Sequence, residues 1–183
     1  MSPLDDLERA LTNTARLVRG VRDEQWGTPT PCAQWDVGAL VNHATWVTEM
    51  FANAAQGKPP AMDRDERVLG SDPAGDFDRA AQAALAAWQS RGLEGTVKIP
   101  IGELPAAVAI RINTTDAFIH GWDVAQATGQ DAQLDDAIGE TLLAFITPLV
   151  PPEPRGDNFG PVVDVPADAP ATDRLLAYSG RKP

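Results

Sequence analysis

At 183 residues and 43% hydrophobic content, the chain is long enough to bury a core and too apolar for a disordered segment. Its net charge of −11 argues against nucleic acid or an anionic membrane as partner, because both require clustered Lys and Arg. The single cysteine, Cys32, excludes an internal disulfide and any multi-cysteine zinc site.

No run of about 18 apolar residues marks a transmembrane helix. The N-terminal stretch Met-Ser-Pro-Leu-Asp-Asp lacks the basic and apolar regions of a signal peptide. A cytoplasmic protein is expected, with a small molecule as its partner; association into a homodimer is left open.

Taken in order, Leu4, Leu7, Leu11, Val18 and Val21 recur at helical spacing and predict a first amphipathic helix over 3–22. Pro3 suits its first turn, and Asp5, Asp6 and Glu8 suit its positive end. The segment Trp26-Gly-Thr-Pro-Thr-Pro-Cys32 is a connector. Within it Cys32 reads first as a small apolar filler, with a ligand or nucleophile role as the alternative.

Asp36 is a natural N-cap for a second helix over 37–56, whose apolar face comprises Leu40, His43, Ala44, Val47, Phe51 and Ala54. Gly57 stops it. Residues 57–75 then read as a long loop, with prolines at 59 and 60, the charged run Asp63-Arg-Asp-Glu-Arg67, and Ser71-Asp-Pro-Ala-Gly75.

A third helix is predicted over 76–91, burying Phe77, Ala80, Ala81, Ala84, Leu85 and Trp88 and ending at Gly92. Thr96 to Gly102 is short and β-branched, so it suits an extended segment or a small strand. A fourth helix over 104–128 starts near Pro105 and is capped by Gly129. A fifth covers 134–147, the prolines from Pro148 to Pro170 forbid a regular helix, and 171–178 suits a short last one. These elements predict an all-α fold in a single domain over 1–183, an antiparallel helical bundle with a Pro-rich C-terminal segment.

The fourth helix carries the chemistry. Asn113, Asp116, His120 and Asp123 are spaced three, four and three residues apart and so line one face of an otherwise apolar helix. Buried polar groups cost on the order of 2–7 kcal/mol without a partner, so the stripe needs an explanation. His43 and His120 are the chain's two histidines, and both are expected to face inward.

One reading brings His43, Asp116 and His120 together around a divalent ion, since imidazole nitrogen and carboxylate oxygen are its ordinary ligands. Three protein ligands leave a position open for water or substrate, which implies chemistry. The other reading makes Asp116 and His120 a buried ion pair within the helix and His43 a satisfied core residue.

Two stretches bear on the choice: Thr30-Pro-Cys-Ala-Gln-Trp-Asp-Val-Gly-Ala-Leu-Val-Asn-His43 and Asp116-Ala-Phe-Ile-His-Gly-Trp-Asp-Val-Ala-Gln-Ala-Thr-Gly129. Together they resemble the actinobacterial branch of the DinB-like superfamily, near the metal-binding domain of mycothiol-dependent maleylpyruvate isomerase. The ending, from Phe159-Gly-Pro to Gly180-Arg-Lys-Pro183, also looks like that branch.

The resemblance implies an up-and-down four-helix bundle of the DinB-like kind with short extra helices, and a metal held by His43, Asp116 and His120. Asp116 stands where the family commonly carries a glutamate, one methylene longer. It also implies a small-molecule enzyme with mycothiol as co-substrate, the metal lowering the thiol's pKa. Zinc is the default, and Fe2+ or Ni2+ also suits two histidines and a carboxylate. Asp123 is the candidate for a supporting or general-base role. A metal-dependent hydrolase and a non-catalytic metal-binding bundle are the alternative functions.

Overall fold

The computed structural model describes residues 2–33, 35–59, 70–100, 102–153, 155 and 159–183. Helix α1 spans Pro3–Arg19. Ser2 caps it by accepting from the Asp5 backbone N–H, and the Asp5 carboxylate accepts from Ser2 in return. The helix stops at Gly20, three residues short of the predicted end, and a single 3-10 turn, Asp23–Gln25, follows. Helix α2 spans Val37–Ala55 and begins on the expected cap, with the Asp36 carboxylate accepting from Ala39 N–H at 2.8 Å.

Helix α3 runs Pro73–Arg91 and so starts three residues earlier than predicted. The cause is local: Asp72 accepts from Gly75 N–H and Pro73 occupies the first turn, where its missing N–H costs nothing. The charged run 63–67 lies outside the described residues. A second strand was not anticipated. Strand β1, Thr96–Ile99, pairs antiparallel with β2, Gly102–Pro105, and this hairpin delays helix α4 to Ala106–Thr128. Gly129 closes α4 in the left-handed conformation, φ 70°, that glycine adopts without strain.

The chain divides into two compact units, residues 1–132 and 133–183. In the first, α1 packs along α3 and α4, and α2 packs along the same two helices. The expected four-helix bundle results. Leu7, Leu11, Leu17, Leu40, Phe51, Phe77, Trp88 and Ile110 fill its core, all essentially inaccessible.

In the second unit, α5 (Asp136–Ile146) packs on α6 (Ala171–Tyr178). The Asp136 carboxylate accepts from Thr172 N–H at 2.8 Å and so satisfies the first turn of α6. Arg155 donates to the carbonyls of Gly160 and Tyr178, each at 2.6 Å, within the expected irregular proline-rich segment. No helix among the described residues is long and apolar enough to cross a membrane.

One close approach fixes the register of α4 against α1. Thr14 Oγ1 donates to the Ala117 carbonyl at 2.8 Å, and a Cβ at Gly121 would lie 2.6 Å from that hydroxyl. Gly121→Val is expected to destabilise the bundle by about 1–3 kcal/mol through overpacking, read as a lowered thermal midpoint.

A second prediction concerns Asp6, buried on α1 with Oδ1 lacking a hydrogen-bond partner among the described residues. Burial pushes its carboxyl above the usual range, against the opposing charges of Arg111 and Arg9. A raised folded-state pKa means that folding takes up a proton. The stability it contributes is therefore present at acid pH and lost as pH rises through the raised value. Asp6→Asn should melt higher than the wild type at pH 7, with the gain vanishing near pH 3.

Candidate metal centre

The site forms where α2 meets α4. On α4, Ala117 and Gly121 turn toward α1, which leaves the stripe Asn113, Asp116, His120 and Asp123 on a different side of the helix. On α2, Leu40, Ala44, Val47, Phe51 and Ala54 are buried as predicted, whereas the His43 side chain keeps 17% of its surface exposed. Asp116 keeps 18% and His120 11%. The three groups therefore sit at the edge of the core, in reach of solvent.

His43 Nε2 and His120 Nε2 each lie 3.5 Å from Asp116 Oδ1. One ligand atom from each of the three residues lies within 4.8 Å of both others. The 3.5 Å separations are too long for good hydrogen bonds, which fall near 2.7–3.2 Å. They match the spacing of ligand atoms around an ion: tetrahedral arms of about 2.1 Å set neighbouring ligand atoms about 3.4 Å apart.

Buried polar atoms point the same way. Asp116 Oδ2 and His43 Nδ1 lack hydrogen-bond partners among the described residues. Two carboxyl groups, those of Asp116 and Asp123, lie beside the two imidazoles, a donor set that suits a cation. By spacing, donor chemistry and charge, the residues present fit a divalent cation.

Asp123 occupies a different place. Its carboxylate is wholly inaccessible and meets His120 Nδ1 at 3.0 Å. That contact places the ring proton on Nδ1 and turns the Nε2 lone pair toward Asp116 and His43. Asn113, one turn before Asp116, is fully buried with neither amide atom hydrogen-bonded among the described residues.

The sequence reading missed one member. Trp35, outside any helix, places its indole 4.5 Å from the His43 ring and 6.0 Å from the His120 ring, tilted 43° and 48° to them. Helical periodicity had no means of finding it. The available signal was an aromatic residue beside a helix cap, in the same motif as His43. Cys32, also in that connector, is half-buried and in no disulfide.

The family described as the mycothiol maleylpyruvate isomerase N-terminal domain matches residues 7–125, which include all three converging side chains. Uncharacterized proteins of two Mycobacterium tuberculosis strains, CDC 1551 / Oshkosh and ATCC 25618 / H37Rv, are each 35% identical over 185 residues. Each alignment spans 99% of this chain and 98% of the relative.

Crystal structures of the mycothiol-dependent maleylpyruvate isomerase and of a histidine-to-alanine mutant superpose with TM-scores of 0.63 and 0.65. Identity to both is 16%, over 79% of this chain and 68% of theirs. That likeness establishes the fold as the DinB-like helical bundle, and the profile match establishes kinship: the chain belongs to the mycothiol maleylpyruvate isomerase N-terminal domain family.

Proposed function

We propose that this protein binds a divalent metal through His43, Asp116 and His120. We further propose that it uses the centre on a small electrophile together with a low-molecular-weight thiol of the mycothiol type, in S-transfer or isomerisation. The observation that carries the reading is the set of three ligand atoms at coordination spacing on a partly exposed edge of the core. The thiol component rests on the family and on neighbours whose names describe mycothiol-dependent isomerases.

A divalent ion there supplies Lewis-acid chemistry, including a lowered pKa for a thiol that reaches it. The protein's own residues do the rest. His43 and His120 present neutral Nε2 atoms, and Asp116 contributes Oδ1 and a negative charge that favours a dication. Asp123 holds the proton on His120 Nδ1. Since that carboxylate is inaccessible and already engaged, we assign it to positioning rather than to a general base that touches substrate. The α2 and α4 walls keep water from the inner side of the cluster, so reactants approach from the exposed side.

Zinc is the first candidate by donor set, with Fe2+ and Ni2+ compatible. Protein purified without added metal should carry close to one equivalent by elemental analysis, and His43→Ala should carry almost none. A wild-type protein that is empty and also ignores added zinc or nickel sinks the proposal.

Asp123→Asn should keep the fold and weaken metal binding about 10–100-fold, the usual effect of removing a ligand's supporting partner. Chelation should abolish thiol consumption in the presence of a small electrophile, with activity returning on metal addition. Thiol turnover indifferent to chelator would separate the catalytic part of the reading from the metal-binding part.

A further inference from the structure

The two histidines are supported unequally. His120 has a carboxylate on Nδ1 at 3.0 Å. His43 Nδ1 is buried with no hydrogen-bond partner among the described residues, so none of them sets its ring angle in that way. Its neighbour is instead the Trp35 indole, at 4.5 Å between ring centroids. The indole also lies 6.0 Å from His120, whose ring stands edge-on to His43 at 5.2 Å. The three rings form a tilted cluster at distances typical of favourable aromatic contacts.

Trp35 is itself held firmly. Its carbonyl accepts from Thr30 N–H at 3.1 Å and from Thr30 Oγ1 at 2.9 Å, and its N–H donates to the Cys32 carbonyl at 3.1 Å. Pro29 bridges to Asp36, and the N–H groups of Val37 and Gly38 reach back to Thr28 and Trp26. The loop is thereby tied to the first turn of α2, the helix that carries His43.

We propose that Trp35 is the positioning residue for His43: its indole fixes the imidazole by ring contact, in the role that Asp123 fills for His120 by hydrogen bonding. The inference rests on the metal reading above and adds a residue to it. With its indole 4.5 Å and 6.0 Å from the two imidazoles, Trp35 would wall one side of an ion held by them. An ion held by these rings lies close enough to the indole for a paramagnetic metal to quench its emission.

The test measures zinc affinity by competition with a chromogenic chelator, together with the visible spectrum of the Co2+-loaded protein and tryptophan emission during Co2+ titration. Trp35→Ala should weaken zinc binding roughly 10-fold or more and alter the Co2+ spectrum. Trp35→Phe should restore affinity to within a few-fold, while Trp35→Leu, similar in bulk but without a ring, should not. Co2+ should quench wild-type emission, and the quenched component should be missing from Trp35→Phe.

Should Trp35→Ala not fold by circular dichroism, the phenylalanine and leucine variants carry the comparison. Wild-type affinity and spectrum in Trp35→Leu, or equal quenching in wild type and Trp35→Phe, overturns the assignment while leaving the metal centre standing. Wild-type protein that binds no Zn2+ or Co2+, or His43→Ala that binds them equally well, overturns the metal reading and this inference with it.

Discussion

Helix α4 has to bury charge as well as hydrocarbon, and much of the first unit is arranged around that demand. One side meets α1 so closely that a glycine is needed at 121 and a threonine hydroxyl bonds the backbone at 117. That contact sets the rotation of α4 about its axis. With the rotation set, the stripe from Asn113 to Asp123 lies away from α1, and α2 supplies the histidine that meets it. Desolvating a carboxylate is costly unless it is paired. Asp123 is paired with His120, whereas Asp116 lies at 3.5 Å from two imidazoles and satisfies neither as a hydrogen bond would. A cation held there, as proposed, would offset that residual cost.

The centre combines a rigid side and a partly open side. Asp123 lies wholly inside the bundle, while His120 and, more so, His43 and Asp116 stand at the edge of the core. Helices give the ligand atoms their spacing because residues four apart stand on adjacent turns. The connector before α2 then brings an aromatic ring over the outer histidine. Positions built on helices hold geometry well, and the short hydrogen-bonded loop extends that rigidity to a side chain outside any helix.

Much of this was legible in the residues. Asp36, Gly129 and the apolar stripes located α2 and α4, because caps and periodicity act locally. Asp116 and His120 belonged together by spacing alone, and the ion-pair and metal readings of them differ only in a distance that a sequence does not contain. Other features were readable but misjudged. Asp72-Pro73 looks like loop composition and works as a helix start, since the same two residue types serve turns and N-termini. Strand β2 was divided between the extended segment ending at Gly102 and the fourth helix starting at 104, because Gly102 to Pro105 has no periodicity of its own and is a strand as the partner of β1. Trp35 was visible within its motif but had no assignable direction, since a loop residue has no repeating face.

By itself the sequence determined which helices form and which of their faces are apolar, and it offered two histidines and an aspartate as candidates to hold a metal. Those properties depend on neighbours within a few residues, where φ, ψ and side-chain period dictate the outcome. Only the tertiary structure decided that α2 lies against α4 and that Asp116 falls between two Nε2 atoms. It also decided that Asp123 lies buried against one histidine while the Trp35 ring lies against the other. Those outcomes depend on how whole helices pack, through contacts such as Thr14 with Ala117 that join residues far apart in the chain.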